Sequence, residues 1–191
     1  MKKASDFPKL FYFVQNFFAL KRYIGRKVVR TLKNINKSAE LERVINLYGR
    51  GVQALAYSYM KNRYDAEDVA QDVFLTYYQK APYFENSHKE KSWLMTVTVN
   101  RCKSLLRCVR RQEEPLPEDL SYLPKLEMDL MNAMLHLEEK YRIVLHLHYY
   151  EGYSIAQIGK LLHCPAATVG SRMSRGREKL KKELGEDYFE E

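Results

Sequence analysis

Apolar residues recur at helical spacing along almost the whole chain, and strand-like alternation is nowhere sustained. The head, residues 1–37, carries Leu10, Phe11, Val14, Phe17 and Phe18, then Ile24, Val28, Leu32 and Ile35. Pro8 suits a first helical turn, and Lys21, Arg22, Arg26, Lys27, Arg30 and Lys33 cover other faces. Ser38 is placed to cap a helix over 38–60, with Leu41, Val44, Ile45, Tyr48, Val52, Leu55, Ala56 and Tyr59 inward. Asp65 is placed to cap the next helix, 66–80, with Val69, Val73, Phe74 and Tyr77 inward. A loop over 82–89 precedes a helix over 90–111 anchored by Trp93, Leu94, Val97 and Leu105.

Residues 113–126 break this rhythm. Pro115, Pro117 and Pro124 stand among acids and interrupt any helix, so an extended or irregular linker is expected. Helical spacing resumes over 127–184, and the tail 185–191 is acidic. The pattern predicts an all-α protein: two small helical domains, 38–112 and 127–184, joined by the acidic linker.

The sharpest local signal lies in the second domain. Ser154 can cap a short helix with Ile155, Ile158, Leu161 and Leu162 inward. His163, Cys164 and Pro165 then make a tight turn, and Pro165 and Ala166 open a second helix. On that helix Val169, Met173, Gly176 and Leu180 share one face. Thr168, Ser171, Arg175 and Lys179 share another, with Arg172 at its edge. This is a helix-turn-helix, in which one face packs and the polar face enters a major groove. Arginine reads guanine, hydroxyls read more loosely and lysine grips phosphate. The competing reading is a helical hairpin with a solvated basic face. The apolar residues of 127–150 would form the base of the unit. His136, His146 and His148 lie there, and i,i+2 spacing does not bring His146 and His148 to one metal, so they read as boundary residues.

Charge adds direction. The 191-residue chain has a formal net charge of +8, which favours a polyanionic partner, nucleic acid or an anionic membrane. Residues 1–37 hold ten Lys and Arg against one acid, whereas residues 113–139 hold one against eight. Asp65, Glu67, Asp68 and Asp72 crowd into DAEDVAQD. Helix-start chemistry accounts for part of this; the surplus fits either a surface for a basic protein partner or a solvated face. Residues 91–111 combine Arg101, Lys103, Arg107, Arg110 and Arg111 with Asn100 and Trp93, just after Asn86, Ser87, His88 and Lys89. Aromatics beside cations suit unstacked bases on single-stranded DNA, although Trp93 reads equally well as core.

Cys102, Cys108 and Cys164 form no CxxC pair and suit no zinc site, as expected of a reducing cytoplasm. There is no run of about 18 apolar residues, and the short apolar stretch 11–20 is followed by Lys21 and Arg22, unlike a signal peptide. No Gly-rich phosphate loop, metal cluster or nucleophile–base pattern is present, which argues against an enzyme and implies no cofactor.

Three segments in order, DAEDVAQDVFLTYYQ (65–79), WLMTVTVNRCKSLLR (93–107) and YYEGYSIAQIGKLLHCPAATVGSRMSRGREKL (149–180), resemble the extracytoplasmic-function sigma factors of the sigma-70 family. The resemblance covers about 38–184. It implies a subunit that binds core RNA polymerase, reads a minus-thirty-five promoter element and opens a minus-ten element. Asp65, Glu67, Asp68, Gln71 and Asp72 would contact the β′ clamp, with the second domain on the β flap. Asn86, Ser87, His88, Lys89, Trp93 and Asn100 would capture minus-ten bases, and Arg101, Lys103, Arg107, Arg110 and Arg111 would hold the strand. Thr168, Ser171, Arg172, Ser174, Arg175 and Lys179 would read the minus-thirty-five element. The acidic linker would thread toward the RNA path, and an anti-sigma factor would be a partner.

The chain departs from the family's pattern in three places. Gly170 stands where a basic residue is frequent, and Glu90 and Lys91 stand where apolar or aromatic residues are. The long basic head has three open readings: a helix packed on the first domain, an amphipathic contact with a membrane surface or an anti-sigma factor, and an extension from a start codon assigned upstream. A helix-turn-helix repressor or activator is the rival function; it would need neither the acidic helix nor the base-capture segment.

Overall fold

The computed structural model describes residues 35–80, 82–109 and 125–185. The described residues form seven helices: α1 (Ile35–Met60), α2 (Arg63–Lys80), α3 (Ser87–Val109), α4 (Lys125–His136), α5 (Glu139–Tyr149), α6 (Ile155–Leu162) and α7 (Ala166–Leu184). Residues up to Glu40 fall in one unit and those from Leu41 onward in a second. Most of the head, the predicted linker up to residue 124, and residues 186–191 lie outside the described residues.

Four expected boundaries are corrected, two of them by side-chain caps. α1 begins at Ile35, so Ser38 lies inside the helix and does not cap it. α2 begins at Arg63, before Asp65. The side-chain oxygen of Asn62 accepts from the Tyr64 and Asp65 amides at 2.8 and 3.3 Å, because a short Asx side chain reaches the N–H groups two and three residues on. Asn86 does the same for α3, accepting from the Lys89 amide at 2.9 Å. The helix therefore starts at Ser87, and Ser87, His88 and Lys89 occupy its first turn instead of the expected loop. Lys125 and Leu126, expected in the linker, open α4.

Within the second unit two lobes form. In the first, Leu41, Val44, Val52, Leu55 and Ala56 of α1 are buried, as are Val69, Val73 and Phe74 of α2 and Leu94, Met95, Val99 and Cys102 of α3. Full burial of a side chain such as Phe74 stabilises by about 1.5–3 kcal/mol. In the second lobe α7 packs on α4, α5 and α6. Gly176 makes this possible, since a Cβ there would lie 3.1 Å from Leu145 Cδ1 and 3.3 Å from Tyr141 Cβ. Met134, Leu137 and Leu145 form a buried cluster, with Leu130 and Leu180 packed against it. The lobes meet where α3 touches α6.

Candidate nucleic-acid interface

The helix-turn-helix is built from chemistry that the sequence announces. Ser154 accepts from the Gln157 amide at 3.3 Å, and Gln157 returns a side-chain oxygen to the Ser154 amide at 2.8 Å, a reciprocal cap. α6 ends at His163, which takes a left-handed conformation (φ 57°) and donates its N–H to the Gly159 and Lys160 carbonyls. Gly159 permits the tight return, because a Cβ there would stand 2.8 Å from the Cys164 carbonyl oxygen. Ile158, Leu161, Val169 and Met173 are buried as expected. Ile155, expected inward, is 39% exposed; its position in the first helical turn carries it off the packed face.

Most of the polar side chains on α7 face outward. Ser171, Ser174, Arg175 and Lys179 are exposed, and Thr168 and Arg172 are half-buried. Ser171 donates to the Ala167 carbonyl at 2.9 Å, and Ser174 to Glu178 at 3.3 Å. Lys179 pairs with Glu138 at 3.2 Å and lies over the Tyr141 ring. Lys140 and Lys179 together hold the Glu138 carboxyl below its usual range. Gly170 faces open space, where a Cβ would meet nothing within 4 Å.

On the first lobe, Trp93 packs edge-on against Tyr77 at 5.9 Å and tilted against Phe84 at 5.8 Å, and is half-buried. One carboxylate anchors this aromatic group. Glu90, 5% exposed, accepts from Arg43 at 2.6 Å and from the Tyr77 hydroxyl at 2.8 Å, tying α1, α2 and α3 together. Tyr48 beside it has its phenol pushed upward, by burial first and then by Glu90. Along α3, Asn100, Arg101 and Arg107 are exposed and Lys103 is half-buried. Lys89 pairs with Glu85 at 2.5 Å. Arg110 and Arg111 lie outside the described residues.

The acidic face of α2 is partly engaged. Glu67 pairs with Arg63 at 2.9 Å, and Arg101 Nε donates to Asp72 at 2.7 Å. One expected polymerase contact and one expected DNA contact therefore hold each other. Asp68 is exposed, and Asp65 and Gln71 are half-buried. Burial, then the field of Glu139, pushes the Cys102 thiol up to about 12, which keeps it protonated at neutral pH.

Sequence reasoning missed five residues that the fold brings into contact at the seam between the lobes. His146, expected at a boundary, is 5% exposed, and its Nδ1 lies 2.9 Å from Ser58 Oγ. Arg142 is 3% exposed and donates to the Ser58 carbonyl at 2.5 Å. Lys91 pairs with Glu151 at 2.9 Å. Arg142 and His146 share the apolar run of α5, whose continuous burial offered the only signal. Among the described residues no cluster of His, Cys, Asp and Glu could hold a metal ion, and no described helix is long and apolar enough to cross a membrane.

Comparison with known proteins follows the same division. Residues 44–112 match the family described as Sigma-70 region 2, and residues 127–180 match Sigma-70, region 4. The chain is 27% identical over 180 residues to the ECF RNA polymerase sigma factor SigW of Bacillus subtilis, covering 83% of this chain and 96% of that one. It is 26% identical over 172 residues to the ECF RNA polymerase sigma-E factor of Escherichia coli, covering 79% and 88%. Among solved structures, the sigma factor RpoE in complex with the anti-sigma factor NepR from Bartonella quintana superposes with a TM-score of 0.66 at 25% identity, covering 76% of this chain and 96% of that one. CnrH in complex with the cytosolic domain of CnrY shares the fold, with a TM-score of 0.58 at 19% identity, covering 88% and 99%. With both sigma-70 regions in order and a helix-turn-helix in the second, the chain belongs to the extracytoplasmic-function group of sigma-70 family RNA polymerase sigma factors, which direct transcription initiation.

Proposed function

We propose a residue-level division of labour for this sigma factor. Residues 38–112 act as the domain that binds core polymerase and the minus-ten element, 113–126 as the linker and 127–184 as the minus-thirty-five domain. Asp65, Glu67, Asp68, Gln71 and Asp72 meet the β′ clamp through the exposed side of α2, and the second domain seats on the β flap. Asn86, Ser87, His88, Lys89, Trp93 and Asn100 receive an unpaired minus-ten base, while Arg101, Lys103, Arg107, Arg110 and Arg111 grip its phosphates. Thr168, Ser171, Arg172, Ser174, Arg175 and Lys179 read the minus-thirty-five element from α7.

The observation that carries this reading is the joining of two features on one helix. The Tyr77–Phe84–Trp93 cluster stands at the start of α3, and later turns of the same helix expose Asn100, Arg101 and Arg107. A ring platform followed by amide and guanidinium groups is what an extruded base and its backbone require. Unstacking a base costs a few kcal/mol, which such contacts offset without hydrolysis, so the protein works by binding and needs no cofactor. An anti-sigma factor is a partner, as for RpoE and CnrH in their complexes, and the site of action is the cytoplasm, where polymerase is.

In vitro transcription tests the reading. Adding the chain to sigma-free bacterial core polymerase with genomic fragments is expected to give discrete starts sharing two upstream elements. Starts that persist unchanged with Arg175→Ala and Trp93→Ala would remove the residue assignments. No starts and no core binding would remove the function.

A further inference from the structure

The first lobe buries a carboxylate where an apolar side chain of the same length would fill the space. Glu90 is in the first turn of α3, three residues before Trp93, and is 5% exposed. Arg43 of α1 donates to its Oε1 at 2.6 Å, and the Tyr77 hydroxyl of α2 donates to the same oxygen at 2.8 Å. Tyr48 of α1 lies beside this oxygen pair: burial, then Glu90, pushes its phenol upward, and its hydroxyl reaches the Ser87 carbonyl at 3.4 Å.

Such a knot is a poor way to gain stability. The cost of taking the charges out of water cancels most of their attraction, and apolar residues of similar volume often do as well. What the knot adds is direction. Hydrogen bonds weaken steeply as distance and angle depart from their optimum, so two donors from two helices fix one oxygen in space. An apolar contact in the same place would tolerate sliding.

Two features stand on this fixed point. The first is the ring cluster. Tyr77 gives its hydroxyl to Glu90 and its ring to the cluster, 6.4 Å from Phe84 and 5.9 Å from Trp93 between centroids. The second is the turn into α3. The Glu90 amide donates to the Asn86 carbonyl at 3.2 Å, and the Asn86 side chain accepts from the Lys89 amide at 2.9 Å. Asn86, Ser87, His88 and Lys89 on that turn are all exposed. One buried anion therefore sets both the aromatic floor and the polar rim. A recognition site must be held to within about 0.5 Å by the groups behind it, and this knot is the group behind both parts.

We infer that Glu90 and Arg43 are positioning residues for minus-ten base selection, acting through the Tyr77–Phe84–Trp93 rings and the 86–89 turn. The inference rests on the proposed reading in which that turn, Trp93 and Asn100 receive an unpaired base. Arg43 lies 47 residues before Glu90 in the chain, and α1 carries none of the residues assigned to DNA. The knot makes α1 a remote determinant of which base the site accepts.

Transcription with core polymerase on altered promoters tests this. The template is a promoter mapped with the wild-type chain, with each minus-ten and minus-thirty-five base pair replaced in turn. For wild type, a wrong base at the captured minus-ten position is expected to cost roughly tenfold to a hundredfold. Arg43→Met combined with Glu90→Leu replaces the knot with apolar side chains. The penalty at the captured position should then fall to a few-fold, while the penalties across the minus-thirty-five element keep their wild-type values. Arg43→Lys retains the cation and should retain most of the discrimination. The chain has a single tryptophan, so the emission of the free chain reports Trp93 directly. It should shift in the double variant and stay in place with Arg43→Lys.

A folded double variant with the wild-type base preference would overturn the inference. So would an equal loss at both promoter elements, or a lost preference with unchanged Trp93 emission. If the double variant does not melt cooperatively, Arg43→Met against Arg43→Lys decides by the same readouts. The Arg43 side chain is 41% exposed, so its truncation leaves the apolar core in place. Failure of the base-capture reading itself would look different: Trp93→Ala would then keep the wild-type preference at every minus-ten position.

Discussion

Helices α3 and α7 are the two helices proposed here to contact nucleic acid, and they are held in place by different means. α3 packs through Leu94, Met95, Val99 and Cys102 and is tied down further by charge. Glu90 draws Arg43 of α1 and Tyr77 of α2 onto it, and Asp72 of α2 takes Arg101. α7 is seated by shape: Val169, Met173 and Gly176 are its buried face, and Gly159 lets the preceding turn approach within van der Waals range. A helix tied by ion pairs next to its proposed DNA contacts can be re-poised when a partner offers competing charges. A helix held by packing keeps its geometry until the lobe unfolds. This suits the proposed division of labour, in which the first lobe acts on a changing, melting duplex while the second docks on a fixed one.

The largest expected effect tests the packed side. Met173 is 3% exposed, and Met173→Ala should cost about 2–5 kcal/mol by lost transfer energy and the cavity left behind. Urea denaturation measures it, and the loss should be nearly the same at low and high salt. A loss that shrinks strongly with salt would mean that α7 too is held by charge. On the pinned side, Glu90→Gln keeps shape and removes charge. It should cost about 1.5–3 kcal/mol, toward the lower figure because Arg43 is 41% exposed at its side chain. A cycle with Arg43→Met should recover part of that cost; strict additivity would show that the two residues do not act together.

The fold was legible where its cause was local. The apolar spacing of α2 marked Val69, Val73, Phe74 and Tyr77, all of which are buried. The Ser154 cap could be read because its partner Gln157 is three residues away. Errors arose where two local signals competed. Asn62 and Asn86 capped ahead of the expected start sites, since an Asx side chain that reaches two or three residues onward pre-empts a later candidate. On α3 the expected anchors gave the helix but not its whole buried face: Met95, Val99 and Cys102, at helical spacing, are fully buried, whereas Trp93 and Val97 are half-buried. The seam was not legible at all. Ser58 and His146 are 88 residues apart, and nothing in either neighbourhood names the other. Glu90 and Lys91 were visible only as departures from a pattern, and both prove to be inward-facing charges with partners.

His146 sharpens the contrast by adding proton dependence at the seam. Burial pulls its pKa from the usual 6.5 down to about 4, with the Glu151 carboxylate opposing. Ser58 faces it from α1, Tyr150 stacks on it at 5.2 Å, and Arg142 lies one turn away. A depressed pKa means that the packed form prefers the neutral ring. The stability of the packing is therefore whole above pH 6.5, falls as the pH drops below that value, and stops falling below about 4. Between pH 7 and pH 5 the expected loss is about 2 kcal/mol. Thermal melts across that range should show it, and His146→Gln should flatten the dependence. A variant with the wild-type pH profile would place the titrating group elsewhere.

The smallest effect bears most directly on how α3 is poised. The Arg101–Asp72 pair is 46% and 39% exposed at its side chains, so solvent screens it and it should add only about 0.2–1 kcal/mol to stability. Asp72→Asn should therefore melt within a few degrees of wild type. Its consequence for binding is larger than for folding, because Arg101 loses its carboxylate and is left with phosphate as its only anionic partner. Affinity for a single-stranded minus-ten oligonucleotide should rise, and its salt dependence should steepen as one more cation engages the backbone. Arg101→Met should abolish that gain. If instead Asp72→Asn destabilises the chain by several kcal/mol, the pair is a structural strut, and Arg101 is not held in reserve for DNA.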